Sequence, residues 1–262
     1  MECGIQFSVL GTIKISDNGT TIPAGGVTQR SVLAYLLLNS GRVVSNGEIL
    51  SAIWQDCPPF TARKMVHNSV AAIRKMLAAH TGGAALITQA PGYQLHVDHD
   101  TVDVNVFRRF VAQGRAELDA GRPDAARDQL RRGLDLWRGR ALADLAESAG
   151  HWPELAAVED ERISAYEDCF AAELACGRHR EVTSELKMLT TAQPVRERLV
   201  QLYMIALYRS GRQVEALSVF RRTRDTLVDG LGVEPGPALQ RQHQLILRHD
   251  SSLELAALGW SA

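Results

Sequence analysis

Between residues 57 and 97 the chain carries Arg63, Lys64, Arg74 and Lys75 and not one Asp or Glu. Residues 101–262, by contrast, hold 22 basic and 24 acidic side chains, and the whole chain has a net charge of −1. The spacing inside the basic stretch predicts a helix over Thr61 to Ala79, because Met65, Val66, Val70, Ile73 and Leu77 recur at helical period and define an inward face. The opposite stripe is Lys64, His67, Asn68, Ala71, Arg74 and Lys75. Cations, an amide and a small apolar residue on one helix face suit a DNA major groove, where each base pair has its own pattern of donors, acceptors and methyl group. A plain solvated face is the alternative, with His67 as ready to meet a phosphate or water as a base. Four cations on four phosphates give a logarithmic salt slope of about −3.6, short of a tight monomeric binder. Two or more protomers are therefore expected side by side on the nucleic acid.

Other chemistries lack their residues. No glycine-rich loop leads into Gly-Lys-Ser or Gly-Lys-Thr, and His-Glu-x-x-His, Gly-x-Ser-x-Gly and Cys-x-x-Cys are absent. No catalytic residue, metal ligand set or cofactor is assigned. Cys3, Cys57, Cys169 and Cys176 are too scattered for metal or redox pairing and are expected as reduced thiols of a cytoplasmic protein. The start Met-Glu-Cys-Gly has no leader pattern and no apolar run approaches the ~20 residues of a membrane span, so no membrane partner is expected.

The elements that must hold the basic helix follow from local signals. Ile5 to Leu10 and Thr12 to Ser16 alternate as strands and break at Asp17-Asn18-Gly19. Three helices then open on similar signatures. Thr28 is expected to cap the first, with Val27 and Val32 as its hydrophobic staple. Ser45 caps the second, with Glu48 completing a capping box and Val44 against Ile49. Thr61 is expected to cap the third, with Phe60 against Met65. Leu86-Ile87-Thr88-Gln89 and Tyr93 to Val97 flank Ala90-Pro91-Gly92 as a hairpin. Strands, three helices and a closing hairpin make a winged helix-turn-helix over residues 1–97.

Residues 98–103 read as a linker, and 104–250 as helical throughout, with a tail over 251–262. In the helical part Gly121-Arg122, Gly177-Arg178 and Gly211-Arg212 each separate two helical stretches. Ala126 and Leu130, Val182 and Leu186, and Ala216 and Phe220 follow at matched offsets. The last two glycines stand one tetratricopeptide period apart, whereas an insertion from Trp137 into the helix after Leu155 lengthens the first interval. The alternative is a plain helical bundle. Trp137, Trp152, Tyr203 and Tyr208 are expected in the core, and Glu159-Asp160-Glu161 on a solvated face. The fold class is thus mainly α with a small β component, a winged helix-turn-helix followed by an all-α tetratricopeptide-like domain.

With these residues in place the chain resembles the SARP family, antibiotic regulatory proteins of actinobacteria. The likeness rests on Gln29-Arg30-Ser31-Val32-Leu33, Gly41-Arg42-Val43-Val44-Ser45, Ile53-Trp54, Pro91-Gly92-Tyr93, Trp137-Arg138-Gly139, Ala206 to Arg212 and Leu231 to Pro237. It implies an OmpR-type DNA-binding domain joined to a bacterial transcriptional activator domain. Such proteins bind direct repeats of promoter DNA near the −35 region of secondary-metabolite gene clusters and recruit RNA polymerase with its sigma factor. The DNA-binding set expected here is Arg30, Thr61, Arg63, Lys64, His67, Asn68, Ala71, Arg74 and Lys75, with Thr88, Gln89, Tyr93 and Gln94 from the wing. The resemblance also implies a polymerase-contact loop, here Gln55, Asp56, Cys57, Pro58, Pro59 and Phe60. Relatives often place arginine where this chain has Gln89 and Gln94, and His-Val-Ser-Arg-Leu-Arg where it has Ser69 to Arg74. An interaction scaffold with weakened DNA binding, or a ligand-responsive regulator, is the alternative function. Larger relatives append an ATPase and sensor repeats, which this sequence is expected to lack.

Overall fold

The computed structural model describes residues 4–80 and 83–254; Cys3 and the part of the tail beyond residue 254 lie outside them. Two compact units emerge: residues 1–112 with 132–163, and residues 113–131 with 164–262.

In the first unit, β1 (Ile5–Ser8), β2 (Lys14–Asp17) and β3 (Thr20–Ile22) form an antiparallel sheet, with Ile5 opposite Asp17 and Ile15 opposite Ile22. Alternation sends Ile5, Phe7, Ile13 and Ile15 into the core. The helices α1 (Val27–Leu38), α2 (Asn46–Trp54) and α3 (Ala62–Ala78) follow. A second sheet closes the module, in the order β4 (Val43–Ser45), β6 (Gly92–His96), β5 (Ala85–Gln89). The strand β4 has no counterpart in the sequence reading. Gly92 faces Ser45 across the ladder so closely that a Cβ there would meet the Val44 carbonyl oxygen at 1.9 Å, which only glycine allows.

Of the three helix entries, one forms as expected. Ser45 is extended, its hydroxyl accepts from Glu48 N at 3.1 Å, Glu48 accepts from Ser45 N at 2.8 Å, and Val44 and Ile49 are both fully buried. Thr28 is no cap, because α1 begins at Val27 on Gly26, and Val27 is 58% exposed and staples nothing. Thr61 does hold the N-cap position of α3, and its carbonyl accepts from Met65 N at 2.9 Å, but its side chain caps nothing. The turn into α3 is already helical, with Ala62 N donating to Pro59 O and Thr61 itself at φ −85°, ψ −1°, so its hydroxyl turns instead to Met65 Sδ at 3.7 Å. Phe60 projects fully into solvent, away from Met65.

The segment 98–103 is structured: a short 3-10 turn over His99–Thr101 leads into α4 (Asp103–Asp119). The Asp103 carboxylate accepts from Val9 N at 2.8 Å and Leu10 N at 3.1 Å, satisfying the backbone just past β1. Burial pushes the Asp103 carboxyl above the usual range despite these donors and Arg138. After α5 (Pro123–Leu134), residues 135–152 run through a turn at Ala143–Leu145 and α6 (Ala146–Ala149), and α7 (Pro153–Ala175) follows. This is the insertion seen in the sequence, and up to residue 163 it belongs to the first unit. Arg138 N donates to Leu10 O at 2.9 Å and Leu142 N to Val9 O at 3.0 Å. Asp144 takes Ile13 N at 2.9 Å. Glu159 is not merely solvated: it accepts from Ala141 N at 2.7 Å.

The second unit continues with α8 (His179–Ala192), α9 (Glu197–Arg209), α10 (Gln213–Leu231) and α11 (Pro237–Leu247). Gly121, Gly177 and Gly211 have φ of 71°, 77° and 75°, and each closes the preceding helix alike. The following arginine N–H reaches back five residues: Arg122 to Glu117 O, Arg178 to Glu173 O and Arg212 to Leu207 O, each at 2.9 Å. The residues at matched offsets, Ala126, Leu130, Val182, Leu186, Ala216 and Phe220, are buried. Buried carboxylates on α7 are paired: Glu167 with Arg196 at 3.0 Å, Asp168 with Arg115 and Arg198 at 2.7 Å each, and Glu173 with Arg131 at 3.1 Å. Trp137, Trp152 and Tyr203 are core residues, and Tyr208 is half-buried.

The capping box makes a pH-linked contribution. The Arg42 guanidinium and the Ser45 N–H and hydroxyl hold Glu48 down to about 2. Stability from this depressed carboxyl is present above the unfolded value, about 4.3, and is lost as pH falls toward about 2. Glu48→Gln keeps a capping-box acceptor and loses only the charge facing Arg42 and the helix start; it is expected to cost about 0.5–1 kcal/mol at pH 7, with the gap from the parent closing on acidification. Urea denaturation across pH checks both.

Candidate nucleic-acid interface

The helix α3 buries Ala62, Val66, Ser69, Val70, Ile73 and Leu77. Ser69 enters the core because its hydroxyl donates to Met65 O at 2.8 Å, while Met65 sits at the edge, half-buried. Arg63, Lys64, His67, Asn68, Ala71 and Lys75 stand exposed together on the other face. None of Arg63, Lys64 and Lys75 meets a carboxylate among the described residues. Thr61 is exposed at the head of the same helix.

Arg74 belongs to the stripe by spacing but points elsewhere. Its Nε donates to Leu86 O at 2.7 Å and its Nη2 to Thr88 Oγ1 at 2.6 Å. The guanidinium carbon lies 5.8 Å from the Tyr93 ring centroid. The arginine therefore ties α3 to the wing. Arg30 is likewise engaged: its Nη1 donates to Gly25 O at 3.1 Å and its Nε lies 3.2 Å from Asp144. In the wing, Tyr93 is buried and Gln94 donates to Gly41 O at 2.6 Å. Gln89 stays exposed at the tip, and Thr88 is exposed but already accepts from Arg74. The structure thus gathers Thr61, Arg63, Lys64, His67, Asn68, Ala71 and Lys75 on one face with Gln89 on the wing. It draws Arg30, Tyr93, Gln94 and most of Arg74 into internal contacts.

Two family matches cover this architecture. Residues 24–95 match the C-terminal domain of transcriptional regulatory proteins, and residues 102–247 match the bacterial transcriptional activator domain. The chain is 35% identical over 257 residues to regulatory protein DnrI of Streptomyces peucetius, covering 95% of this chain and 94% of that one. This chain belongs to the SARP family. It is also 37% identical over 257 residues to transcriptional regulatory protein EmbR of Mycobacterium tuberculosis, and this match spans 95% of the SARP chain but only 64% of the length of EmbR. The solved structure of Mycobacterium tuberculosis EmbR in complex with a low affinity phosphopeptide superposes with a TM-score of 0.86 at 35% identity, over 95% of this chain and 66% of that one.

In this SARP chain the loop between α2 and α3 is exposed throughout, from Gln55 to Phe60. It carries a free thiol at Cys57 and the fully exposed Phe60 ring. Sequence reasoning missed two supports, Asp103 and Asp144, and the partner of Trp152, whose burial it did expect; all three reach across about 90 to 130 residues of chain. The anomalous first interval between glycines was the available signal, since an insertion that recruits two tryptophans needs a surface to bury them.

The division of labour among the cations is testable. Lys64→Ala is expected to leave stability within about 0.5 kcal/mol and to flatten the salt dependence of DNA binding by about 0.9 in logarithmic slope. Arg74→Ala removes two charge-assisted hydrogen bonds and is expected to lower the unfolding free energy by about 2 kcal/mol. Denaturant titrations of both variants, with binding titrations across salt, separate the roles.

Proposed function

We propose that this SARP chain is a sequence-specific, DNA-binding transcription activator in which α3 enters the major groove and the wing tip at Gln89 lies along the flanking backbone. One observation carries the reading: an exposed helix face of three cations, a histidine and an amide that meets no carboxylate among the described residues, on a winged scaffold. DNA contact is assigned to residues 1–97 and partner contact to the helical part, 104–250, the two joined through 98–103. The protein works in the cytoplasm on promoter DNA of a secondary-metabolite cluster, at direct repeats near the −35 region. The exposed Gln55 to Phe60 loop touches RNA polymerase or its sigma factor.

Charge decides the stoichiometry. With Arg74 and Arg30 engaged internally, three free cations remain on α3, for a slope of about −2.7 per protomer. A second protomer side by side on the adjacent repeat doubles that and lends each the other's affinity. A specific observation favours one further reading, a ligand-responsive regulator: the second unit holds a cavity of about 670 Å³ lined by His179, Tyr208, Arg209, Gln213 and His249. Thermal stabilisation by pathway products would support it, and no shift across a broad panel would remove it.

A footprint on the adjacent cluster promoter is expected to cover two repeats whose centres lie about one helical turn apart. Binding should weaken steeply with salt, and Phe60→Ala should bind as the parent does but activate less in a purified transcription assay. Absence of any salt-sensitive, sequence-dependent complex at micromolar protein would leave the interaction-scaffold reading standing.

A further inference from the structure

A helix leaves its last four carbonyls without partners, and something must take them where the end is buried. At the end of α2, Ser51 O accepts from Gln55 N at 2.8 Å and Trp54 O from Cys57 N at 3.1 Å. The Ala52 carbonyl accepts from the indole Nε1 of Trp152, a hundred residues on, at 2.6 Å. Trp152 is 1% exposed and its ring meets Tyr35 of α1 edge-on at 5.1 Å and 67°. The neighbouring His151 is exposed, with Nδ1 3.2 Å from Gln55 Nε2.

These contacts converge on the residue where the loop departs. Gln55 has φ 54° and ψ −127°, a conformation that a non-glycine residue keeps only when its surroundings over-determine it. The backbone bond to Ser51, the indole on Ala52 and the imidazole on Gln55 are those surroundings. Beyond Gln55 the loop is exposed up to Phe60. We infer that Trp152 and His151 are positioning residues that fix the exit of α2 and so the pose in which the Gln55 to Phe60 loop is presented. The insertion between the first two helical repeats thereby sets the geometry of the loop, a role no local property of the loop itself accounts for. Its consequence for transcription rests on the polymerase-contact reading given above.

Cys57 supplies a reporter inside the loop. It is exposed, whereas burial pushes the Cys169 thiol to about 12 and Cys176 to about 11, so neither ionises at neutral pH. The test places a nitroxide label on Cys57 of the full chain in a Cys3→Ser, Cys176→Ser background. Trp152→Phe keeps an aromatic ring against Tyr35 but loses the N–H together with the pyrrole half of the indole, so its unfolding free energy is measured alongside; His151→Ala removes an exposed side chain with little risk to folding and leaves no buried cavity. Both are expected to speed the label's motion and leave promoter affinity unchanged. Trp152→Phe should also cut transcription about fivefold, the shift that one lost hydrogen bond of ordinary strength produces. A label equally immobile in both variants overturns the inference. So does freer motion with undiminished transcription, provided Phe60→Ala in the same assay does cut it. Phe60→Ala without effect overturns the polymerase reading instead, and the label's motion alone then decides whether Trp152 and His151 hold the loop.

Discussion

The guanidinium of Arg74 donates to Leu86 O and to Thr88 Oγ1, and these two bonds fix the angle between α3 and the wing. A helix and a hairpin can track a groove and its flank only if their relative pose is set before contact, because ordering them afterwards would consume binding free energy. The arrangement exchanges charge for geometry. An arginine that a phosphate could have held is instead held by a carbonyl and a hydroxyl, over the face of Tyr93. Arg30 makes the same exchange against Gly25 and Asp144. The face left over is modestly charged: Arg63, Lys64 and Lys75 meet no carboxylate among the described residues.

The same point explains what the sequence could and could not reveal. Hydrophobic period located α3 and its inward face, since burial of Val66, Val70, Ile73 and Leu77 repeats regularly along the chain. It could not separate Arg74 from Lys75: both lie on the polar stripe, and the carbonyl that captures Arg74 belongs to a strand residue twelve positions on in the chain. Capping signals behaved likewise. Ser45, Glu48, Val44 and Ile49 satisfy every requirement of a helix start together. Thr28 and Thr61 supplied a hydroxyl but not the extended backbone, and Val27 and Phe60 stayed in solvent. The strand β4 escaped notice because Val43-Val44-Ser45 is three residues long and its last member doubles as the cap of α2.

The helical repeats were legible for the opposite reason. A positive φ after a helix is a demand that glycine meets without strain, so the three Gly-Arg pairs mark three equivalent chain reversals directly in the sequence. What repetition cannot express is a departure from it. The interval after Gly121 is long because its extra residues serve the other unit: Leu142, Leu145, Ala149 and Trp152 are buried there, and the backbone of 138–144 completes hydrogen bonds for the strand end at Val9, Leu10 and Gly11.

Family matches divide the chain between residues 95 and 102, and packing divides it elsewhere. The two boundaries answer different physical questions. The first marks where one recurring sequence pattern gives way to another. The second marks which residues must be present for buried polar groups to be satisfied. Val9 N, Leu10 N, Ile13 N and Ala52 O all find partners in residues beyond 102. An unpaired buried amide or carbonyl costs about 1–3 kcal/mol, so a winged module cut at its sequence boundary would leave several such groups to water while exposing the apolar surface under Trp152. Residues 103–112 and 132–163, which fall in the second sequence pattern, are thereby a structural component of the winged module, and hydrogen bonds that neither pattern can complete alone tie that stretch to the first pattern.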